Sequence, residues 1–287
     1  MILLSTGTLN TLGLSRIFAL AAEAGFDGVE IMVDGRLDTR DARYLRRLSS
    51  DYGLPIAVVH SPFLPDVEGW PADQLGRLER TLALAGELGV GLVVTHLPYR
   101  LYLMWIGATG PRSFRFTAPL PWLRREPYYA LLRDGGLAAL EEETGITIAV
   151  ENMPARRYLG RLWRLYWFNT PDEMRRFPHL TLDTTHLGTW GLDPVAVYGQ
   201  LQDHVVHVHL SNFAGGKEHR APTDGDLALG EFLQALARNG YAGAVSVESE
   251  PNAFHADDEA ACLAELRAAL AFCREHIGRA SMQGCPS

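Results

Sequence analysis

Six apolar segments of this chain carry, at or next to their end, a side chain able to bind a metal ion or move a proton. Residues 55–60 end in His60, 91–96 in His96, 146–151 in Glu151, 180–183 in Asp183 and 244–248 in Glu248, and 205–210 carries His209 one place before its end. A lone histidine at the end of a strand is ordinarily a hydrogen-bonded core residue. A lone glutamate there is harder to explain, because an unpaired buried carboxylate costs several kcal/mol. Six such endings in one chain point to a shared metal or catalytic site. Three carboxylates and a histidine suit a hard or borderline divalent cation such as Mn²⁺, Mg²⁺, Co²⁺ or Zn²⁺.

For the six endings to meet, their segments must be parallel strands of one closed sheet. Two more strand patterns, 2–8 and 28–32, precede them. Helical patterns alternate with the strands at 15–24, 41–52, 71–88, 127–143, 171–177, 193–204, 229–239 and 257–277. Asp41, Thr170 before Pro171 and Asp193 before Pro194 are helix-start signals, and Gly25, Gly53, Gly89, Gly145 and Gly240 are stop signals. Eight strand–helix repeats are the pattern of a single (β/α)8 TIM barrel, an α/β fold. A doubly wound open sheet is the other reading, but no Gly-x-Gly-x-x-Gly follows any strand.

Strand parity agrees with closure. In the segment 244–248, Ala244, Ser246 and Glu248 share one face while Val245 and Val247 share the other. Ile148 and Val150 form the bulky face of the segment ending in Glu151. Barrel strands turn large aliphatics outward to the helices, so the polar face points inward. Glu151, Asp183, His209 and Glu248 then converge at the carboxyl end, where barrel active sites lie. His207 shares the inward face one layer deeper and reads as core or as support for a ligand.

The chain has 287 residues, enough for one barrel, read as a domain over 1–278 with a tail at 279–287. No run approaches the roughly 18 apolar residues of a membrane span. The opening MILLSTGTLN lacks early positive charge and does not read as a signal peptide. The expectation is a soluble, cytoplasmic protein with no membrane partner. Three cysteines do not make a disulfide framework: Cys262 and Cys273 fall in one helical pattern and read as packing, and Cys285 lies in the tail. A net charge of −8 argues weakly against nucleic acid as a partner.

The segments VVHSP, VVTHLP, IAVENMP, LDTTHLG, HVHLSN and VSVESEP, which close strands three to eight, carry a resemblance. The chain resembles the xylose isomerase-like barrel superfamily, which holds sugar isomerases and epimerases as well as the apurinic endonuclease IV group. The resemblance runs in order over the whole barrel, and Glu151-Asn152 and Asp183-Thr-Thr-His186 are its most specific pieces. It implies one divalent metal held by Glu151, Asp183, His209 and Glu248. It also implies that Glu151 and Glu248 flank the substrate as the catalytic acid/base pair, moving a proton at a carbon beside a carbonyl. His60, His96, His186, His219 and Arg220 are implied to bind substrate or, for the histidines, to hold further metal.

The endonuclease-like branch uses three zinc ions. There His60 and His96 with a bridging Glu151 would hold one, and His186 and His219 would help hold another. Lys217 stands where that branch has an aspartate ligand, and a charged lysine cannot ligate. The stretch from His219 to Asp226 also departs from that branch's Pro-Gly-Glu-Gly run.

Long loops after strands four and five complete the reading. Arg100, Arg112, Arg115, Arg124 and Arg125 fall in one, and Arg156, Arg157, Arg161 and Arg164 in the other. Tyr102, Trp105, Phe114, Phe116, Trp122, Tyr158, Trp163, Tyr166 and Trp167 interleave with them. Such loops suit a lid or subunit interface, a phosphorylated sugar, or nucleic acid, and they make a homo-oligomer an expectation. The function expected is a divalent-metal-dependent isomerase or epimerase of a sugar or sugar phosphate. The alternatives are a zinc phosphoesterase acting on abasic DNA and a non-catalytic ligand-binding barrel.

Overall fold

The structure, a computed structural model, describes residues 1–63, 67–108, 114–121 and 127–283. Arg112, Trp122, Arg124, Arg125 and Cys285, singled out above, lie outside the described residues. Eight parallel strands close into a barrel: β1 (Ile2–Ser5), β2 (Gly28–Met32), β3 (Ile56–His60), β4 (Leu92–His96), β7 (Thr147–Glu151), β10 (Leu180–Asp183), β11 (Val205–Leu210) and β14 (Ala244–Val247). Each pairs with its neighbour in that order, and β1 pairs with β14 to shut the ring. Around it run α1 (Leu14–Ala24), α2 (Ala42–Tyr52), α3 (Gln74–Leu88), α4 (Pro127–Arg133), α5 (Leu137–Thr144), α6 (Pro171–Met174), α7 (Thr184–Trp190), α8 (Pro194–Leu201), α9 (Leu229–Arg238) and α10 (Glu259–Gln283).

Alternation along the strands sorts the core into two compartments. Ile148, Val150, Leu180, Leu182, Val245 and Val247 face outward into the large cluster shared with the helices. Leu3, Val58 and Val94 form a separate, small cluster inside the barrel, backed by Ala57, Leu92 and Ala244. The barrel is therefore plugged by aliphatics toward its amino end, and the polar residues two positions further on each strand stand above that plug. Cys262 and Cys273 are free thiols buried in α10, as packing residues.

The helix signals hold where side chains can cap. Asp41 accepts from the backbone N–H groups of Arg43 and Tyr44, Thr170 from Glu173, and Asp193 from Val195. Several boundaries read from the sequence shift. The first strand ends at Ser5 rather than residue 8, because Thr8 leaves the sheet to bond across to β14, its hydroxyl donating to the Val247 carbonyl at 3.0 Å. The pattern over 127–143 is two helices, broken where Gly135 adopts a left-handed φ of +77°. The α6 helix stops at Met174, short of residue 177, and α10 continues to Gln283, past residue 277.

Three insertions at the carboxyl face carry hairpins: β5 (Leu101–Ala108) with β6 (Phe114–Pro121), β8 (Arg156–Tyr158) with β9 (Arg161–Trp163), and β12 (Asn212–Ala214) with β13 (Lys217–Arg220). The two long loops expected after strands four and five thus contain antiparallel ribbons, and they lean on each other. Tyr99 and Tyr166 form an isolated bridge with ring centroids 4.8 Å apart, and the Arg100 N–H donates to the Leu165 carbonyl at 2.7 Å. Among the described residues no helix is long and apolar enough to cross a membrane.

Candidate metal centre

Barrel register brings the strand ends to one level. His96 on β4 is paired with Glu151 on β7, Asp183 on β10 with His209 on β11, and Met32 on β2 with His60 on β3. Glu248 follows β14 directly and is tied down when its N–H donates to the Leu210 carbonyl at 3.2 Å. Asn152, the residue after Glu151, locks β7 to β10. Its side-chain oxygen accepts from the Asp183 N–H at 2.7 Å, and its amide donates to the Asp183 carbonyl at 3.0 Å.

The result is a compact donor set. Glu151, Asp183, His209 and Glu248, all buried, bring one ligand atom each to within 4.8 Å of one another. The Nδ1 of His209 lies 3.1 Å from Glu151 Oε1 and 2.8 Å from Glu248 Oε2, with hydrogen-bond geometry satisfied only toward Glu151. Asp183 Oδ2 and Glu248 Oε2 are both buried and accept no hydrogen bond. Buried carboxylate oxygens without a donor are costly, and two of them in one donor set with an imidazole fit a divalent cation.

Three further triads adjoin this set, and Glu30, His60 and His209 form the deepest of them. His60, His96 and Glu151 form the second, with the Nε2 atoms of the histidines 3.0 Å apart and 3.5 and 3.4 Å from Glu151 Oε2. Asp183, His186 and His219 form the third. His186 donates from Nδ1 to the Asn152 carbonyl at 2.7 Å, which leaves its Nε2 as the acceptor. His219 sits on β13 in the left-handed region at φ +52°, a strain of about 1–3 kcal/mol. The Gly215-Gly216 turn before it supplies the two positive φ values of a two-residue hairpin. A cavity of about 960 Å³ opens above, lined among others by Phe63, Met153, Arg156, Lys217, Glu218 and Arg220.

Electrostatics separate these groups. Burial pushes the Asp183 carboxyl up to about 8, with His219 opposing and Glu151 adding to the rise. Burial would also raise Glu151 and Glu248, but His209 outweighs it and holds both below the usual carboxylate range. The three carboxylates around His209 in turn raise its imidazole well above the ordinary value, against the effect of burial. Burial pushes His96 down to about 3, and His60 beside it adds to the fall.

All eight histidine and acidic residues singled out from the sequence meet at this mouth. Arg220 does not reach the donor set: it stands on the rim, ion-paired with Asp224. Three arginines of the two loops also make contacts within the chain. Arg156 pairs with Glu218, Arg164 with Glu173, and the Arg100 guanidinium lies 5.0 Å from the Trp167 ring. One residue of the site escapes the strand-end pattern, Glu30 in the middle of β2. It is fully buried and touches His207, His209 and His60. Its signal in the sequence is a carboxylate on the inward face of an apolar strand.

Comparison with known proteins places this geometry among relatives. The profile of the family described as xylose isomerase-like TIM barrel matches residues 18–266. An uncharacterized protein of Mycobacterium tuberculosis is 30% identical over 96% of this chain and 97% of its own length. An uncharacterized protein of Methanocaldococcus jannaschii is 28% identical over 80% of this chain and 76% of its own. Among solved structures, a D-tagatose 3-epimerase-like protein superposes with a TM-score of 0.68 at 21% identity, covering 99% of both chains. An AP endonuclease, family 2, from Brucella melitensis gives 0.61 at 18% identity, covering 87% of this chain and 93% of its own. At these identities the structural likeness is one of fold.

Proposed function

We propose that this chain, which belongs to the xylose isomerase-like TIM barrel family, is a divalent-metal-dependent isomerase or epimerase of a sugar or sugar phosphate. The observation that carries the reading is the buried set Glu151, Asp183, His209 and Glu248 at the floor of an open cavity, with two carboxyl oxygens that make no hydrogen bond. The fold shared with the solved neighbour described as D-tagatose 3-epimerase-like supports it. A divalent cation bound there would polarise the substrate's oxygens and stabilise the negative charge that develops on them.

The chain's own residues supply the rest. Glu151 and Glu248 are held ionised by His209, so each can accept a proton at neutral pH. They reach His209 Nδ1 through different carboxylates, from β7 and from the end of β14, and so approach the cavity floor from two sides. One removes the proton from the carbon beside the carbonyl, and the other returns one to the opposite face or to the neighbouring carbon. His186, with Nε2 free, and His219 face the same space and would orient hydroxyl groups. Phe63, 44% exposed and edge-on to His96, lends an apolar wall to the cavity.

The direct test reconstitutes chelator-treated protein with Mn²⁺, Co²⁺, Mg²⁺ or Zn²⁺ and screens ketoses, aldoses and their phosphates for interconversion. A metal-dependent conversion is expected, with Glu248→Gln retaining metal and losing about 10²–10⁴-fold in turnover. Full activity of that variant would remove Glu248 from the mechanism.

A second reading, a metal-dependent phosphoesterase acting on abasic DNA, is favoured by the triad of His60, His96 and Glu151 and that of Asp183, His186 and His219. Lys217 on the rim and the pairing of Arg156 and Arg164 within the chain count against it. Two or three zinc ions per chain together with cleavage of an abasic duplex would establish it over the isomerase.

A further inference from the structure

We propose that Glu30 is a positioning residue that fixes which nitrogen of His209 faces the cation, an inference that rests on the metal centre described above. Glu30 lies in the middle of β2, and its carboxylate is divided between two imidazoles. Nε2 of His209 donates to Oε1 at 2.9 Å, and Nε2 of His207 donates to Oε2 at 3.0 Å. His60 Nδ1 stands 3.4 Å from Oε1. All four side chains are buried.

The consequence follows from imidazole chemistry. A ring that gives its Nε2 proton to a carboxylate must present Nδ1 as its lone pair when it ligates a metal. In His209, Nδ1 is the atom that faces Glu151 and Glu248. His207 holds the arrangement in place. Its Nδ1 is buried with no hydrogen-bond partner, so its proton resides on Nε2 and keeps Glu30 Oε2 engaged. With one oxygen taken by His207, the other is reserved for His209 and the carboxylate cannot turn. Space-filling alone does not account for Glu30. The aliphatics Leu3, Val58 and Val94 fill the barrel interior without the several kcal/mol that burying a carboxylate costs.

Glutamine is the discriminating substitution, because it matches glutamate in shape but accepts hydrogen bonds at only one of its two ends. In Glu30→Gln the amide NH₂ must meet an imidazole N–H. A proton moved to Nδ1 of His207 would be buried without an acceptor, so the amide turns to His209 and keeps that ring's proton on the metal-facing Nδ1, beside Glu151. Titration calorimetry with Mn²⁺ or Zn²⁺ on chelator-treated protein is expected to show affinity about 10–100-fold weaker than wild type. A merely structural role would lower the melting temperature of the metal-free protein and leave the affinity unchanged. Adding His207→Gln to Glu30→Gln gives the new amide on β2 an acceptor and frees its oxygen for His209, so the double variant should regain most of the lost affinity.

A measurement on unaltered protein keeps the proposal open to refutation if the variants fold poorly. In the Zn²⁺ form labelled with ¹⁵N-histidine, NMR should find a slowly exchanging proton on Nε2 of His209 and none on Nδ1. The reverse assignment, or equal metal affinity for wild type and Glu30→Gln, would overturn the role of Glu30 while leaving the metal centre intact. If wild type binds no divalent cation, the centre itself is misread and the proposal falls with it.

Discussion

Asp183 is a carboxyl surrounded by other carboxylates, and its buried environment pushes it up to about 8. At pH 7 it therefore holds a proton in the metal-free protein, and a cation binding to Oδ2 must displace it. Calorimetry at pH 7 in buffers of different ionisation enthalpy should show proton release on Mn²⁺ binding. Affinity should rise with pH through 8, because protons leave both Asp183 and Nδ1 of His209 when the cation binds; an affinity flat between pH 6 and 8 would mean that neither group holds a displaceable proton. At this scale the sequence is informative wherever chemistry falls at a strand end, since parity and barrel handedness dictate what faces the mouth. Glu30 is not legible for the opposite reason. It sits mid-strand, and its meaning comes from His207 and His209, 177 and 179 positions away. No local pattern encodes that contact.

The α7 helix carries His186 and is held by polar and steric contacts together. Asp183 serves as strand end and as helix cap, accepting from the His186 N–H at 2.8 Å. Thr184 and Thr185, whose β-branching disfavours a helix, instead donate their hydroxyls to the carbonyls of Ser211 at 2.7 Å and Asn212 at 2.9 Å. These tertiary bonds explain why Asp183-Thr-Thr-His186 does not look helical in isolation. The hairpin after β7 reads as a loop in the sequence because its strands, Arg156–Tyr158 and Arg161–Trp163, are three residues each and carry no apolar run. Helices with capping aspartates and closing glycines are visible at once. Gly188 lets α7 approach the hairpin closely: a Cβ there would fall 2.7 Å from Cβ of Phe213 on β12. Gly188→Ala should therefore destabilise the protein by about 1–3 kcal/mol as the helix and the hairpin separate. Thermal unfolding checks this, and an unchanged melting temperature would show that Phe213 moves aside freely.

At the scale of the whole molecule, the barrel separates support from chemistry. An aliphatic plug fills its amino end, Glu30 and His207 stand above the plug, and the donor set faces the cavity at the carboxyl end. The order of strands and the mouth they share follow from the eight-fold repeat alone. The choice among substrates does not, because it depends on hairpins whose pairing is set by contacts such as Tyr99 with Tyr166, which no periodicity announces. Under the proposed reading, the net charge of −8 and the pairing of Arg156 with Glu218 and of Arg164 with Glu173 favour a small polar substrate over a polyanion. The proton transfer proposed for Glu151 and Glu248 is then best followed in the substrate itself. Metal-loaded protein incubated with ketoses in D₂O should place deuterium on the carbon beside the carbonyl, and chelated protein and Glu248→Gln should not. Conversion of a sugar without deuterium uptake, or cleavage of an abasic duplex with no sugar turned over, would contradict it.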